Sequence, residues 1–262
     1  MTQFTHLHVH SHFSILDGMS KVSDLVDKCR ANGMNAMALT DHGNMFGIKE
    51  LTDYAGKVNG ASKKKLKDLE KSFKDETDEE KKAALAKDIE ALKAKMEKEV
   101  PFKPIIGIEA YCARRTLYDK DKDVKVVNPE TGREQRVDAS GWHLILLAKN
   151  KEGYKNLCKL SSIAYTDGFY DRPRIDKNLL QQYHEGLIVC SACLGGEIPQ
   201  LIIAGKLEEA EASVRWFKDL FGDDYYIELQ RHETNKPNAE TGTFLRQQEV
   251  IPHLVAIARK TN

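Results

Sequence analysis

The stretch Phe4-Thr5-His6-Leu7-His8-Val9-His10-Ser11-His12 sets four histidines at alternating positions. A β-strand has a side-chain period of two, so extended backbone here turns all four imidazoles to one face. A helix-period pattern follows at residues 22–32, a second apolar run at 36–40 and a second helical pattern at 47–56. That order is a βα repeat, and it predicts a parallel sheet or barrel. Further strands are expected at 104–112, 142–148, 187–191 and 225–230, with helices at 151–165, 207–221 and 243–260.

One segment departs from this rhythm. Residues 63–99 are densely charged, contain no Gly or Pro, and repeat Leu85, Ile89, Leu92 and Met96 at helical spacing. Leu66, Leu69 and Phe73 mark an earlier arm, with Asp75-Glu76-Thr77-Asp78-Glu79 between the two. The expectation is an antiparallel helical hairpin inserted at 60–100. Its charges nearly cancel, so a solvated or partner-contacting protrusion fits it better than a DNA-binding arm. A second polar interruption at 118–140, with Asn128-Pro129-Glu130-Thr131-Gly132 inside it, reads as a long loop or small hairpin.

The 262 residues suit one large α/β domain. Lys plus Arg and Asp plus Glu number 40 each, so any nucleic-acid contact must be local. The start carries no signal-peptide pattern and no run reaches membrane-spanning length, which predicts a cytoplasmic protein with no membrane partner. Five scattered cysteines argue against a disulfide framework, leaving thiols that can ligate metal.

The histidine cluster is the main chemical signal. A lone histidine is commonly a hydrogen-bonded core residue, whereas several on one strand face point to metal ligation. Thr40-Asp41-His42-Gly43-Asn44 follows an apolar strand and so stands at its carboxyl end, where barrel active sites form; Asp41 could equally cap the next helix. Ile105-Ile106-Gly107-Ile108-Glu109-Ala110-Tyr111 buries a carboxylate, which is costly unless it faces a cation or a fixed base. His143 opens the apolar run Trp142-His143-Leu144-Ile145-Leu146-Leu147-Ala148. Of the Cys190 and Cys193 pair, one reads as a ligand and the other as a core thiol.

The order of motifs is what identifies a family. His-Leu-His-x-His-Ser, Leu16-Asp17-Gly18, Leu-Thr-Asp-His-Gly-Asn, Lys-Pro-Ile-Ile-Gly-x-Glu-Ala-Tyr, His-Leu-x-Leu-Leu-Ala, Gly-Phe-Tyr-x-x-Pro-Arg-Ile-Asp and Ser-x-Cys-Leu-Gly-Gly-Glu-Ile-Pro succeed one another. Together they resemble the polymerase-and-histidinol-phosphatase (PHP) domain that opens bacterial replicative polymerase III alpha subunits. The resemblance implies a distorted (β/α)7 barrel with metals at the carboxyl ends of its strands. It implies His8 and His10 as paired ligands and Glu109 as a carboxylate bridging two metals. His143 and Cys193 would complete a second site, and Asp17 with His42 would hold a third metal. Asp41 would orient a ligand imidazole. His6 is expected to be structural, and His12 stands where the family often carries an acid.

The family pattern ends in an Asp-x-His element on a further strand, and this sequence stops at Arg259-Lys260-Thr261-Asn262 without it. By resemblance the second site is then the one with its protein ligands intact, and fewer than three metals are expected here. Imidazole and thiolate favour zinc, while the carboxylates also admit manganese or magnesium. The implied chemistry is metal-assisted phosphoester hydrolysis at His8, His10 and Glu109, with 3′-to-5′ exonuclease proofreading at a DNA 3′ end in the intact protein. Arg174 is the expected phosphate contact. Polymerisation would belong to the remainder of the alpha chain. The alternative is an inactive structural module that stabilises the polymerase and docks a separate exonuclease subunit. A free-standing small-molecule phosphatase fits less well, given Gly168-Phe169-Tyr170 and Pro173-Arg174-Ile175-Asp176.

Overall fold

The computed structural model describes residues 4–15, 17–128, 132–139, 141–236, 238–239 and 241–261. Leu16 and the expected turn at Pro129-Glu130-Thr131 lie outside them. The chain is α/β. One six-stranded sheet is ordered β1 (Ala36–Leu39), β2 (Lys103–Cys112), β5 (Trp142–Ala148), β7 (Leu187–Cys190) and β8 (Tyr225–Tyr226), with β6 (Arg174–Ile175) also pairing with β2.

The direction of β5 differs from the parallel expectation. β1 and β2 are parallel, as are β7 and β8, but β5 runs antiparallel to both β2 and β7. The physical reason is the connection that precedes it: between β2 and β5 the described residues form no crossover helix, only a polar loop with the two-stranded hairpin β3 (Lys125–Val127) and β4 (Glu134–Arg136). Without a crossover the chain re-enters the sheet from the end where it left.

The N-terminal segment, expected as a strand, forms only an isolated bridge from His6 to Met37 of β1 and bends at Leu7 and His8. Its further ties to β1 are Ala38 N–H to His6 O and Thr40 N–H to Val9 O, at 2.8 and 2.9 Å. It meets the chain beyond β8 through side chains, His8 Nδ1 lying 2.8 Å from Glu228 Oε1. The sheet therefore curls until its two edges approach, and the expected strand at 225–230 is paired only at 225–226.

Helices cover the outer face. α4 (Lys151–Thr166), α6 (Glu197–Ile203), α7 (Leu207–Phe221) and α8 (Gly242–Thr261) bury one face each against β2, β5 and β7 in the largest core cluster. In α7 the buried residues Ala210, Val214, Phe217 and Phe221 recur at helical spacing, and each large one contributes about 1.5–3 kcal/mol by leaving water. α1 (Val22–Ala31) and the start of α2 (Ile48–Asp75) cover β1. Inside the curl, Ala38, Ile145, Leu147, Cys190 and Ala192 form a small inner core. Asp176 caps the short α5 (Lys177–Gln182) through Leu179 N–H at 2.9 Å.

α2 runs unbroken from the sheet into the charged segment, then turns and returns as α3 (Glu79–Glu97), capped by Asp78. Asn59 clamps the base by accepting from Phe102 N–H at 2.8 Å and donating to Phe102 O at 2.9 Å. Leu92, buried on α3, belongs to none of the three core clusters.

Candidate metal centre

Glu109 lies on β2 and is fully buried. Its backbone is fixed by the loop after β1: Gly43 N–H donates to Glu109 O at 2.8 Å, and Glu109 N–H donates to Asp41 O at 3.2 Å. Gly43 takes a φ of +63°, a turn that an L side chain would strain, and this brings His42 alongside Glu109. His143 opens β5, and because β5 is reversed its first residues pair with the last residues of β2, Tyr111 opposite His143. A histidine at the start of a strand thus joins residues at the ends of others. Gly195 allows close approach here, since a Cβ on it would sit 2.9 Å from His143 Nδ1.

Around the Glu109 carboxylate the donors converge. Oε1 lies 2.8 Å from His143 Nδ1, 3.4 Å from His8 Nε2 and 3.7 Å from Cys193 Sγ. Oε2 is in close contact with His42 Nδ1 and 3.4 Å from His10 Nε2. Cys193 Sγ is also 3.4 Å from His143 Nδ1, and His42 Nε2 is 2.5 Å from Asp17 Oδ2. Three sets have metal-ligand spacing: His8, His10 and Glu109; His42, Glu109 and His143; and His10, Asp17 and His42. Six of the seven residues expected as ligands fall in these sets, and Cys193 adjoins them through Glu109 and His143.

The cluster is electrostatically strained by burial and relieved by pairing. Burial alone would raise the Glu109 carboxyl, but contacts from His143, His42 and His8 outweigh it and hold it well below the usual range. Burial would lower His8, yet its bonds to Glu109 and Glu228 raise it to about 9. His42 is likewise lowered by burial and raised overall by Glu109 and Asp17. For His10 burial dominates, and its value falls to about 4. Burial and the neighbouring Glu109 push the Cys193 thiol up. His42 Nδ1 and Glu109 Oε2 are both buried without a hydrogen-bond partner, although they touch. Four imidazoles, a thiol and two carboxylates converging on one site make a donor set that a divalent cation takes, so the residues fit a metal.

A second layer fixes the imidazoles. The buried Asp41 accepts from Ser11 N–H, Ser11 Oγ–H and Ser14 Oγ–H at 2.7, 2.8 and 2.7 Å. Asp41, expected to orient a ligand imidazole, reaches His10 through Ser14. Because Ser14 gives its one proton to Asp41, His10 Nδ1, 3.1 Å away, must donate to Ser14 Oγ. His10 Nε2 is then left with a lone pair toward Glu109. On the other side, Glu228 accepts from His8 Nδ1 and, at 2.6 Å, from Gln230. Sequence reasoning passed over Glu228; the alternation of Tyr226, Glu228 and Gln230 was the available signal.

Other expectations separate. His6 stays outside the cluster, and His12 is exposed and packs on Phe13. Cys190 is a core thiol that burial raises to about 12, while Cys193 joins the cluster. Arg174 is corrected: it is fully buried beneath the surface rather than facing a phosphate. Its guanidinium donates to the carbonyls of Gly168, Asp138, Leu117 and Asp119, so its role is to tie the polar loop to β6.

A family model for the PHP domain matches residues 6–232, which include every residue of the cluster. The chain belongs to the PHP domain family. This PHP domain is 44% identical to the DNA polymerase III subunit alpha of Borreliella burgdorferi over 231 residues, 88% of this chain and 15% of that protein. Against the subunit from Aquifex aeolicus it is 36% identical over 257 residues, 98% of this chain and 17% of that protein. It thus spans less than a fifth of the length of these curated relatives. A solved structure from Bifidobacterium adolescentis covers 97% of both chains at 12% identity with a TM-score of 0.38, a likeness too weak to argue from. Among the described residues no helix is long and apolar enough to cross a membrane.

Proposed function

We propose that this PHP domain is a divalent-metal phosphoesterase module of a larger replicative polymerase chain, and that it removes terminal nucleotides from a DNA 3′ end. The observation that carries the reading is Glu109, a buried carboxylate ringed by four imidazoles and a thiol. Glu109, His143 and Cys193 would hold one ion with a complete set of protein ligands; His8, His10 and Glu109 would contribute to a second site, and His42 with Asp17 to a third. Such ions lower the pKa of a bound water and neutralise phosphoryl oxygens. The protein's share is to keep His8 and His10 oriented through Glu228 and Ser14, and to shield the carboxylate from bulk water. The thiolate and imidazoles favour zinc at the Cys193 side, with manganese suited to the carboxylate-rich side at Asp17. The relatives' polymerase name supports placing the module beside a polymerase and its DNA.

The test is elemental analysis of the buffer-exchanged chain, followed by assay of nucleotide release from a 3′-labelled oligonucleotide with zinc or manganese supplied. Bound transition metal, and release that falls by about 100-fold or more in His8→Ala, are expected. Metal without release in either protein would favour the structural module that docks a separate exonuclease. No bound metal would end the reading altogether.

A further inference from the structure

Beside the cluster opens a cleft of about 400 Å³, with His143 and Cys193 in its wall. Two arginines, Arg114 and Arg172, line it, and its described lining contains no Asp or Glu. In a chain whose charges balance at 40 each, a cleft whose described lining carries cations and no acid has a local preference for an anion. Its volume falls within the range of small-ligand sites and suits one nucleotide unit, not a duplex.

Arg172 is held in place without being neutralised. Its Nη1–H donates to Tyr111 Oη at 2.8 Å and its guanidinium lies 4.8 Å from the Tyr111 ring centroid. Among the described residues no carboxylate pairs with it. Tyr111 is itself packed against His143, with ring centroids 5.2 Å apart, so Arg172 is tied to the metal centre through one aromatic ring. Also in the lining, Arg114 stacks 3.7 Å over Trp142. Burial lowers it to about 10, which leaves it charged at neutral pH. Gln135, on β4, has its Nε2 buried without a hydrogen-bond partner. An unmet buried donor is satisfied by an acceptor in the cleft.

We infer that this cleft seats the terminal nucleotide of a single-stranded nucleic acid, with Arg172 holding its phosphate beside His143 and the amide-bearing wall at Gln135 facing its base. The inference rests on the metal-centre reading above for its orientation, but it can be tested without turnover. Arg172 is exposed, so its substitution leaves the core untouched.

Isothermal titration of thymidine 5′-monophosphate, thymidine and inorganic phosphate into the wild-type chain and Arg172→Met provides the test, with Arg172→Lys as the conservative variant. The monophosphate should bind the wild type more tightly than either fragment. Arg172→Met should weaken it by about tenfold or more, as expected for a lost charge-assisted pair, and Arg172→Lys should restore part of that loss. Equal affinity in wild type and Arg172→Met, no binding by the wild type at millimolar concentration, or inorganic phosphate binding as tightly as the nucleotide would each overturn it. Zinc content measured on the same samples reads the metal centre separately. Arg172-dependent nucleotide binding by a chain that takes up no zinc would overturn the metal reading alone.

Discussion

Ser14 shows how one hydroxyl can set the state of a ligand. It donates to Asp41 and accepts from His42 N–H and His10 Nδ1, so removing it frees the His10 ring to flip or to protonate on the wrong nitrogen. Ser14→Ala should weaken zinc by about 10–100-fold in competition with a chromophoric chelator. An unchanged affinity would show that the relay is ornamental. Asp138 is a second residue with a readable charge. It is buried, accepts from Arg115 and from Asp121 N–H, and the Arg115 contact lowers its carboxyl below the ordinary value. A depressed folded value contributes stability above the unfolded carboxyl range, about pH 4, and loses it as pH falls through the lower folded value. Asp138→Asn should therefore lower the thermal midpoint by roughly 2–4 °C at pH 7. As pH falls below about 4 the gap between the two melting curves should close progressively, vanishing below the depressed folded value; a gap that persists in stronger acid would assign the effect to shape instead of charge.

At the scale of elements, the α2–α3 arm is separable from the body. Its apolar residues, Leu66, Leu69, Phe73, Leu85, Ile89 and Met96, are partly buried along the facing sides of the pair, and Lys93 reaches Glu70 across it at 3.3 Å. That ion pair is exposed and adds little. The contact that matters to the body is the Asn59 clamp on Phe102, at the base. Replacing residues 62–98 with a short Gly-Ser linker should leave metal content unchanged and shift the thermal midpoint by no more than about 2 °C. Loss of metal on excision would show that the arm props the sheet. The β3–β4 hairpin is the opposite case. Arg174 and Asp138 pin it from below, and Gln135 on β4 lines the nucleotide cleft.

Across the whole molecule, the cluster residues were legible because their types are conspicuous in or just after apolar runs: His42 after β1, Cys193 after β7, Glu109 inside β2. The direction of β5 was not legible, since an apolar run reads the same whichever way its strand points. Arg172 and Arg174 flank the same proline, and sequence alone cannot say which side chain goes under the polar loop. Glu228 follows a strand paired over two residues, too short to announce a face. The hairpin arm was legible in its spacing but not in its continuity, because Gly56 and Gly60 read as a break and yet the helix that begins at Ile48 runs through both.

The reversal of β5 has a consequence for how such a protein can change. A parallel strand obliges its connection to travel back along the full length of the sheet, which fixes most of that connection as scaffold. Here residues 113–141 leave and return at the same rim, where Tyr111 lies opposite His143. The connection is free of transport duty, and its residues can be lengthened, shortened or rewritten as a doorway while the hinges stay where they are. Substrate choice in this architecture can drift without disturbing the chemistry.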